Sequence, residues 1–85
     1  MPDNIKVYAL STCIHCRHAK DFLDKQGVAY DAVFVDKLTG DERTDTIAEL
    51  KKYNPRASFP TIVFNGGDKV VVGFIEEKIR EALGI

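Results

Sequence analysis

This 85-residue sequence has only two cysteines, no excess of either charge sign and no long hydrophobic run. Its 13 acidic and 12 basic residues give a net charge of −1, which disfavours a polyanionic partner such as nucleic acid. The N-terminus, Met1 to Asn4, is polar, and the apolar run after it is far too short for a signal peptide or a membrane span. No repeat, low-complexity stretch or linker interrupts the chain. We therefore expect one domain over residues 1–85, located in the cytoplasm, with neither nucleic acid nor membrane as its partner.

The two cysteines, Cys13 and Cys16, lie where an apolar run gives way to a helical pattern. A disulfide between them would constrain very little of the unfolded chain. In the cytosol, such a pair is more often catalytic or metal-binding than structural. The start of a helix carries partial positive charge, which favours a thiolate at the first sulfur. The Cys-x-x-Cys pair in this β-then-α setting is typical of thioredoxin-like redox motifs, and it predicts a redox-active disulfide.

Hydrophobic periodicity and turn residues predict seven elements in the order β-α-β-α-β-β-α. The strands are expected at Ile5–Leu10, Ala29–Val35, Thr61–Phe64 and Lys69–Val72, and the helices at Ile14–Gln26, from the capping-box pattern at Thr39 to about Tyr53, and at Phe74–Leu83. In the last helix, Ile75, Ile79 and Leu83 should form the buried stripe. The first two strands are one helix apart and should be parallel, and a hairpin then follows. This order predicts an α/β, thioredoxin-like fold with a four-stranded mixed sheet and flanking helices.

The two sulfurs are expected to have different roles. Cys16 lies three residues before Ala19 and so joins the inward stripe that continues through Phe22 and Leu23. Cys13 precedes the first turn and should be exposed at the tip of the helix. Since an exposed, electropositive sulfur attacks and a shielded one resolves, we assign Cys13 as the nucleophile and Cys16 as the resolving thiol.

Three alternatives to this assignment stay open. The cysteines could be two inert thiols that happen to be close. Cys13, His15, Cys16 and His18 could hold zinc, although a closed zinc site needs four tetrahedral ligands, which usually come from two chain segments. Finally, His15 could stabilise the neighbouring thiolate and make the protein an oxidising exchanger, although an ordinary surface role explains this residue equally well.

A second motif, Ser58-Phe59-Pro60-Thr61, sets a proline at the start of a strand-like run, where it cannot donate a ladder hydrogen bond. With the Cys-x-x-Cys pair, the Asn65-Gly66 turn and Gly73, this motif makes the whole chain resemble a glutaredoxin. The resemblance implies that Pro60 is cis and packs against the cysteines. It also implies that Phe59 presents its backbone to the bound thiol partner, as an added strand would. Substrate contacts are therefore expected from Thr12, His15, Arg56, Phe59, Pro60 and Gly73.

Several residues depart from the usual glutaredoxin pattern. Glutaredoxins commonly have Cys-Pro-Tyr-Cys, where this chain has Ile14 and His15 between its cysteines. Leu10 stands where they often carry a lysine, and Val72 replaces the first glycine of a Gly-Gly pair. The acidic residue that would hold the amino group of glutathione has no match better than Glu76. These departures weaken the expectation of a dedicated glutathione site.

The stretch Val72-Gly73-Phe74 instead resembles redoxins that donate electrons to ribonucleotide reductase and that are themselves reduced by thioredoxin reductase. It also resembles small redoxins of anaerobic bacteria and archaea, whose thiol partner need not be glutathione. Lys51, Lys52 and Arg56 occupy the segment that touches glutathione carboxylates in the family. A charged helix C-terminus, favoured by the helix dipole, explains the same three residues.

The resulting hypothesis is a monomeric dithiol redoxin that reduces disulfides in proteins or small thiols through Cys13 and Cys16. We expect no tightly bound cofactor and no metal. Electrons would come from a reductase system, either thioredoxin reductase or glutathione, or from another thiol. The alternatives are a metal or iron–sulfur carrier that uses Cys13 and an oxidising exchanger tuned by His15.

Overall fold

The computed structural model describes residues 4–85, so the first three residues of the expected domain lie outside it. The four strands are β1 (Ile5–Ala9), β2 (Asp31–Phe34), β3 (Thr61–Phe64) and β4 (Lys69–Val72). The three α-helices are α1 (Ile14–Lys25), α2 (Gly40–Tyr53) and α3 (Glu76–Leu83), and a short 3-10 helix spans Val35–Lys37. The predicted order of strands and α-helices is confirmed, and the 3-10 helix is an addition that the sequence did not indicate.

The strands form one mixed sheet in the order β2-β1-β3-β4. As predicted, β1 and β2 are parallel, with Ala9 opposite Phe34 at their carboxyl ends. β3 runs antiparallel to both β1 and β4, so the hairpin lies on the other side of β1 from β2. The predicted thioredoxin-like fold is therefore confirmed. The parallel register also brings the segments that follow β1 and β2 to one end of the sheet.

Two apolar clusters pack on the two faces of the sheet. Side chains alternate along β1, so Val7 belongs to the larger cluster, with residues of α1 and α3, and Tyr8 belongs to the smaller one. Leu50 of α2 and Val63 of β3 complete the smaller cluster, and both are buried. Burial of these apolar side chains is the main stabilising contribution to the fold. None of the helices within residues 4–85 has the length and hydrophobicity of a bilayer span.

The predicted start of the last helix was wrong. Phe74 and Ile75 precede α3, which begins at Glu76 because the backbone of Ile75 is extended, with φ −124° and ψ 95°. Ile75 is 41% exposed and does not belong to the buried stripe, whereas Ile79 and Leu83 are buried as predicted. One large apolar residue is consequently left on the surface near the cysteine-bearing end of the sheet.

Other boundaries differ by smaller amounts. β1 ends at Ala9 and α1 at Lys25, each one residue earlier than predicted. β2 covers only Asp31–Phe34, because the chain turns into the 3-10 helix at its end. The side chain of Thr39 makes no capping hydrogen bond, so the predicted capping box is not formed. The acidic first turn of α2, Asp41 and Glu42, still complements the helix dipole.

Candidate active site

Cys13 caps the N-terminus of α1. Its backbone is extended, with φ −88° and ψ 119°, and its sulfur accepts a hydrogen bond from the backbone N–H of Cys16 at 3.3 Å. The N–H of Cys13 in turn donates to the carbonyl of Leu10 at 3.3 Å, which closes the turn between β1 and α1. The first turn of α1 has no acidic residue to offset the positive end of the helix dipole. The Cys13 sulfur therefore lies where a thiolate is stabilised by hydrogen bonding and by the helix.

The two thiols, both free, differ in burial. Cys16 is 1% exposed and packs in the larger cluster, in line with the predicted inward stripe. Cys13 is half-buried rather than exposed, which corrects the prediction, because its side chain also packs against that cluster. The difference in access between the two sulfurs is retained, although it is smaller than the sequence suggested.

Burial raises the pKa of the Cys16 thiol to about 12 from its ordinary value of 9.0. The adjacent Cys13 sulfur and the carboxylate of Asp36 raise it further, while the backbone near Leu10 acts in the opposite direction. Cys16 is therefore a protonated thiol at neutral pH. It can become a nucleophile only after it loses its proton.

The second motif forms a tight turn before β3. The Phe59–Pro60 peptide bond is cis, which agrees with what the family resemblance implied, and Pro60 is fully buried. The N–H of Gly73 donates to the carbonyl of Pro60 at 2.7 Å. Phe59 packs against both apolar clusters and shares the larger one with Cys13. Among residues 4–85, no hydrogen bond engages the main-chain N–H or C=O of Phe59, so both groups are available to a partner.

Asn54 holds this turn in place from the end of α2. Its buried side-chain amide donates to the hydroxyl of Ser58 at 3.0 Å and to that of Thr61 at 3.1 Å. Its side-chain oxygen accepts from the N–H of Arg56 at 3.2 Å. The Thr61 hydroxyl donates to the carbonyl of Ser58 at 2.8 Å. In the sequence, Asn54 merely follows the predicted end of the second helix at about Tyr53, and nothing local indicated this network.

A groove of about 330 Å³ opens beside the cysteine pair, between α1 and the 3-10 helix. Three basic side chains line it, namely Arg17, Lys20 and Lys37. At its edge, the N–H and hydroxyl of Ser11 both donate to the carboxylate of Asp36. The sequence analysis missed this contact. The predicted parallel pairing of the first two strands was the one signal for it, because that pairing places their following residues side by side.

The remaining predicted site residues lie on the surface. Thr12, His15 and Arg56 are exposed, and within residues 4–85 no hydrogen bond or ion pair joins His15 to Cys13. His18 instead packs edge-on against Phe74, with ring centroids 5.8 Å apart. The described part of the chain contains no group of three or more His, Cys, Asp or Glu side chains that could hold a metal ion. The zinc alternative gains no support from this arrangement.

Comparisons with known proteins point to one family. The family model described as Glutaredoxin matches residues 5–68. Glutaredoxin 1 of Rickettsia prowazekii is 36% identical over 58 residues, which is 68% of this chain, and the chain spans 58% of the length of that curated relative. The crystal structure of Methanosarcina acetivorans methanoredoxin superposes with a TM-score of 0.92 at 43% identity, covering 99% of this chain and 87% of that one. The glutaredoxin from Methanosarcina mazei gives 0.89 at 40% identity, covering 100% and 84%.

Proposed function

The chain belongs to the glutaredoxin family of thiol–disulfide oxidoreductases, and we propose that it is a dithiol redoxin that reduces disulfides through Cys13 and Cys16. The observation that carries this proposal is the unequal environment of the two sulfurs. The Cys13 sulfur accepts an N–H hydrogen bond at a helix N-terminus, whereas Cys16 is buried and protonated. In such a pair, the accessible sulfur attacks the target disulfide and the buried thiol resolves the mixed disulfide.

The reaction proceeds in two exchanges. The Cys13 thiolate attacks one sulfur of the target disulfide, and the other sulfur leaves as a thiolate that takes up a proton. Cys16 then loses its proton, and its thiolate attacks the Cys13 sulfur of the mixed disulfide. The bond to the partner breaks, a Cys13–Cys16 disulfide forms, and the second partner thiol is released. The target gains two electrons and the protein loses two.

The partner's chain would lie along the turn before β3. The free main-chain groups of Phe59 can pair with an extended segment of the partner, as an added strand does. The hydrogen bond between Gly73 and Pro60 joins the end of β4 to this turn. A side chain added at Gly73 would meet no heavy atom within 4 Å, so the space above this residue is open to a partner. These features support a role for Phe59, Pro60 and Gly73 in binding the substrate.

Regeneration requires an external reductant and, we propose, no tightly bound cofactor. The candidates are a thioredoxin reductase, glutathione with its reductase, and another small thiol. Leu10 and Val72 stand where residues of the family's glutathione site would be, which favours a reductase or another thiol. Arg56 is exposed beside the Asn54 network and is the best placed of the basic residues near this turn to contact a carboxylate of a small thiol.

The test is an NADPH-coupled disulfide-reduction assay, run once with thioredoxin reductase and once with glutathione plus glutathione reductase. We expect turnover with at least one system and none with the Cys13→Ser variant in either. A Cys13→Ser variant that stays active would refute the proposal. If the wild type shows no turnover in either system, protein that has been reduced with dithiothreitol can be mixed directly with the disulfide substrate. This reaction would show whether the dithiol chemistry itself fails. Metal analysis of the purified protein would separately detect a carrier of metal or an iron–sulfur cluster.

A further inference from the structure

Asp36 is tied to the loop that carries the cysteines by two hydrogen bonds. The backbone N–H of Ser11 donates to one carboxylate oxygen at 3.0 Å, and the Ser11 hydroxyl donates to the other. These bonds lower the pKa of Asp36, so its side chain is an anion at neutral pH. Both donors belong to one residue, which fixes the orientation of the carboxylate as well as its position.

The topology of the sheet places this charge at the end that carries the cysteine pair. Asp36 lies two residues after β2, and Ser11 lies two residues after β1, at the end where Ala9 pairs with Phe34. Ser11 also lies within the turn that is closed by the hydrogen bond from the Cys13 N–H to the Leu10 carbonyl. The carboxylate is therefore anchored to the same short turn that carries Cys13 and begins α1.

Several charges face the cysteines from the elements around the groove. Arg17, Lys20, Asp21 and Asp24 do so from α1, and Lys37 does so from the 3-10 helix. Lys20 lies over the ring of Phe34, with its nitrogen 4.5 Å from the centroid. Lys37 adjoins Asp36 and lowers its pKa, but by less than the two Ser11 hydrogen bonds do. The negative charge of Asp36 opposes ionisation of Cys16, in the same direction as burial and the Cys13 sulfur, which contribute more.

We propose that Asp36, anchored by Ser11, is a positioning residue that keeps a negative charge beside the cysteine pair and thereby slows the step in which Cys16 resolves the mixed disulfide. This inference rests on the dithiol mechanism proposed above. A slower resolving step lengthens the lifetime of the covalent complex with the partner. Asp36 does not itself touch the reacting atoms; it acts on them through the field that it sets at Cys16.

Removal of this charge should accelerate resolution by about twofold to threefold. Thiol–disulfide exchange needs the thiolate, so a tenfold larger thiolate fraction would give a tenfold faster rate if nucleophilicity stayed constant. Nucleophilicity falls as the thiol becomes more acidic, with a Brønsted coefficient of about 0.4–0.5, which reduces that tenfold gain to about threefold. Because Asp36 contributes less than burial to the raised pKa of Cys16, we expect an acceleration of this order, about twofold to threefold, and no larger.

The test is a stopped-flow reaction of the fully reduced protein with excess neutral 2,2′-dipyridyl disulfide. Attack by Cys13 releases one 2-thiopyridone in a phase that depends on probe concentration. Attack by Cys16 on the mixed disulfide releases a second one in a phase that does not. Asp36→Asn keeps a side chain that can accept from the N–H of Ser11 but removes the charge. We expect its second phase to be about twofold to threefold faster and its rate–pH profile to shift to lower pH.

Three further variants separate charge from structure. Asp36→Glu retains the charge and should keep the slow second phase. Ser11→Ala retains the backbone donor and the carboxylate but loses the hydroxyl donor, so its second phase should lie between those of the wild type and Asp36→Asn. Asp68→Asn removes a carboxylate from the hairpin turn at the far end of the sheet and should have no effect. Circular dichroism checks that every variant folds.

An unchanged or slower second phase in Asp36→Asn would overturn the inference, and a slower one would indicate that Asp36 accepts the proton of Cys16. The same stopped-flow traces test the proposed function separately. If the wild type gives no second phase, or if that phase persists in Cys16→Ser, the dithiol mechanism itself fails.

Discussion

The backbone N–H of Gly73 donates a 2.7 Å hydrogen bond to the carbonyl of Pro60. This bond joins the residue after β4 to the residue before β3, at the end of the sheet where the cysteines lie. Gly73 makes the bond with a φ of +85°, a conformation that L-residues with a Cβ rarely adopt. In the proposed function, the bond and the glycine lie beside the bound partner.

Gly73→Ala should lower both stability and affinity for a protein disulfide. The positive φ costs a residue with a Cβ about 1–2 kcal/mol, and the added methyl group enters the open space above the site. Gly84→Ala is a matched control, since Gly84 has a φ of +78° and equally open surroundings at the C-terminus of α3. Urea unfolding should show similar losses for both variants, and only Gly73→Ala should raise KM. Equal KM values would contradict a role for Gly73 in binding.

Cys16→Ser should stop the reaction at the mixed disulfide. Cys13 keeps its place at the N-terminus of α1, but no second thiol remains to displace the partner. Incubation with an excess of a disulfide peptide should add one peptide mass per protein, as measured by mass spectrometry without reductant. Cys13→Ser is the control and should remain unmodified under the same conditions. Rapid loss of the adduct from Cys16→Ser would argue against Cys16 as the resolving thiol.

The reduced protein should lose stability in alkali more steeply than the oxidised protein. The pKa of Cys16 is raised by burial from 9.0 to about 12, so the folded state favours the protonated thiol. The associated stabilisation is complete below pH 9 and disappears as the pH rises towards 12. A Cys13–Cys16 disulfide has no thiol to titrate. Burial also raises the pKa of Tyr30 to about 12, a contribution common to both forms.

Thermal melts of the two redox forms between pH 8 and pH 11 check this prediction. The difference in melting temperature between oxidised and reduced protein should grow with pH above 9. In Cys16→Ser, the melting temperature should follow the shallower profile. A constant difference across this range would show that ionisation of Cys16 is not linked to folding.

Asn54→Ala should weaken substrate binding by loosening the turn before β3. The variant removes the side-chain partners of Ser58, Thr61 and the Arg56 N–H, and we expect the free energy of unfolding to fall by about 1–3 kcal/mol. Gly84→Ala is again the control, because the positive φ of Gly84 gives a loss of about 1–2 kcal/mol at the C-terminus of α3, outside this turn and the cluster that packs against it. KM for a protein disulfide should rise in Asn54→Ala alone. A similar rise in both variants would assign the effect to general instability.

The order of elements and the place of the cysteine pair could be read from the sequence because both depend on local patterns. Apolar alternation and the Asn65-Gly66 turn each act over a few residues. Burial of Cys16 followed from its spacing to Ala19 on one helix face. Local sequence patterns were therefore enough to predict the fold, the position of the cysteine pair and the unequal burial of its two sulfurs.

The distant groups that surround that pair could not be predicted from local patterns, because they meet only when the elements pack together. Asp36 reaches Ser11 across 25 positions because parallel pairing of β1 and β2 aligns their ends. Ile75 became exposed because the backbone after Gly73 stays extended until α3 begins. Cys13 proved half-buried because its side chain meets the larger cluster, which is assembled from several elements. Hydrogen bonds and electrostatic fields depend on distance in space, and that distance is set only when the sheet and helices pack together.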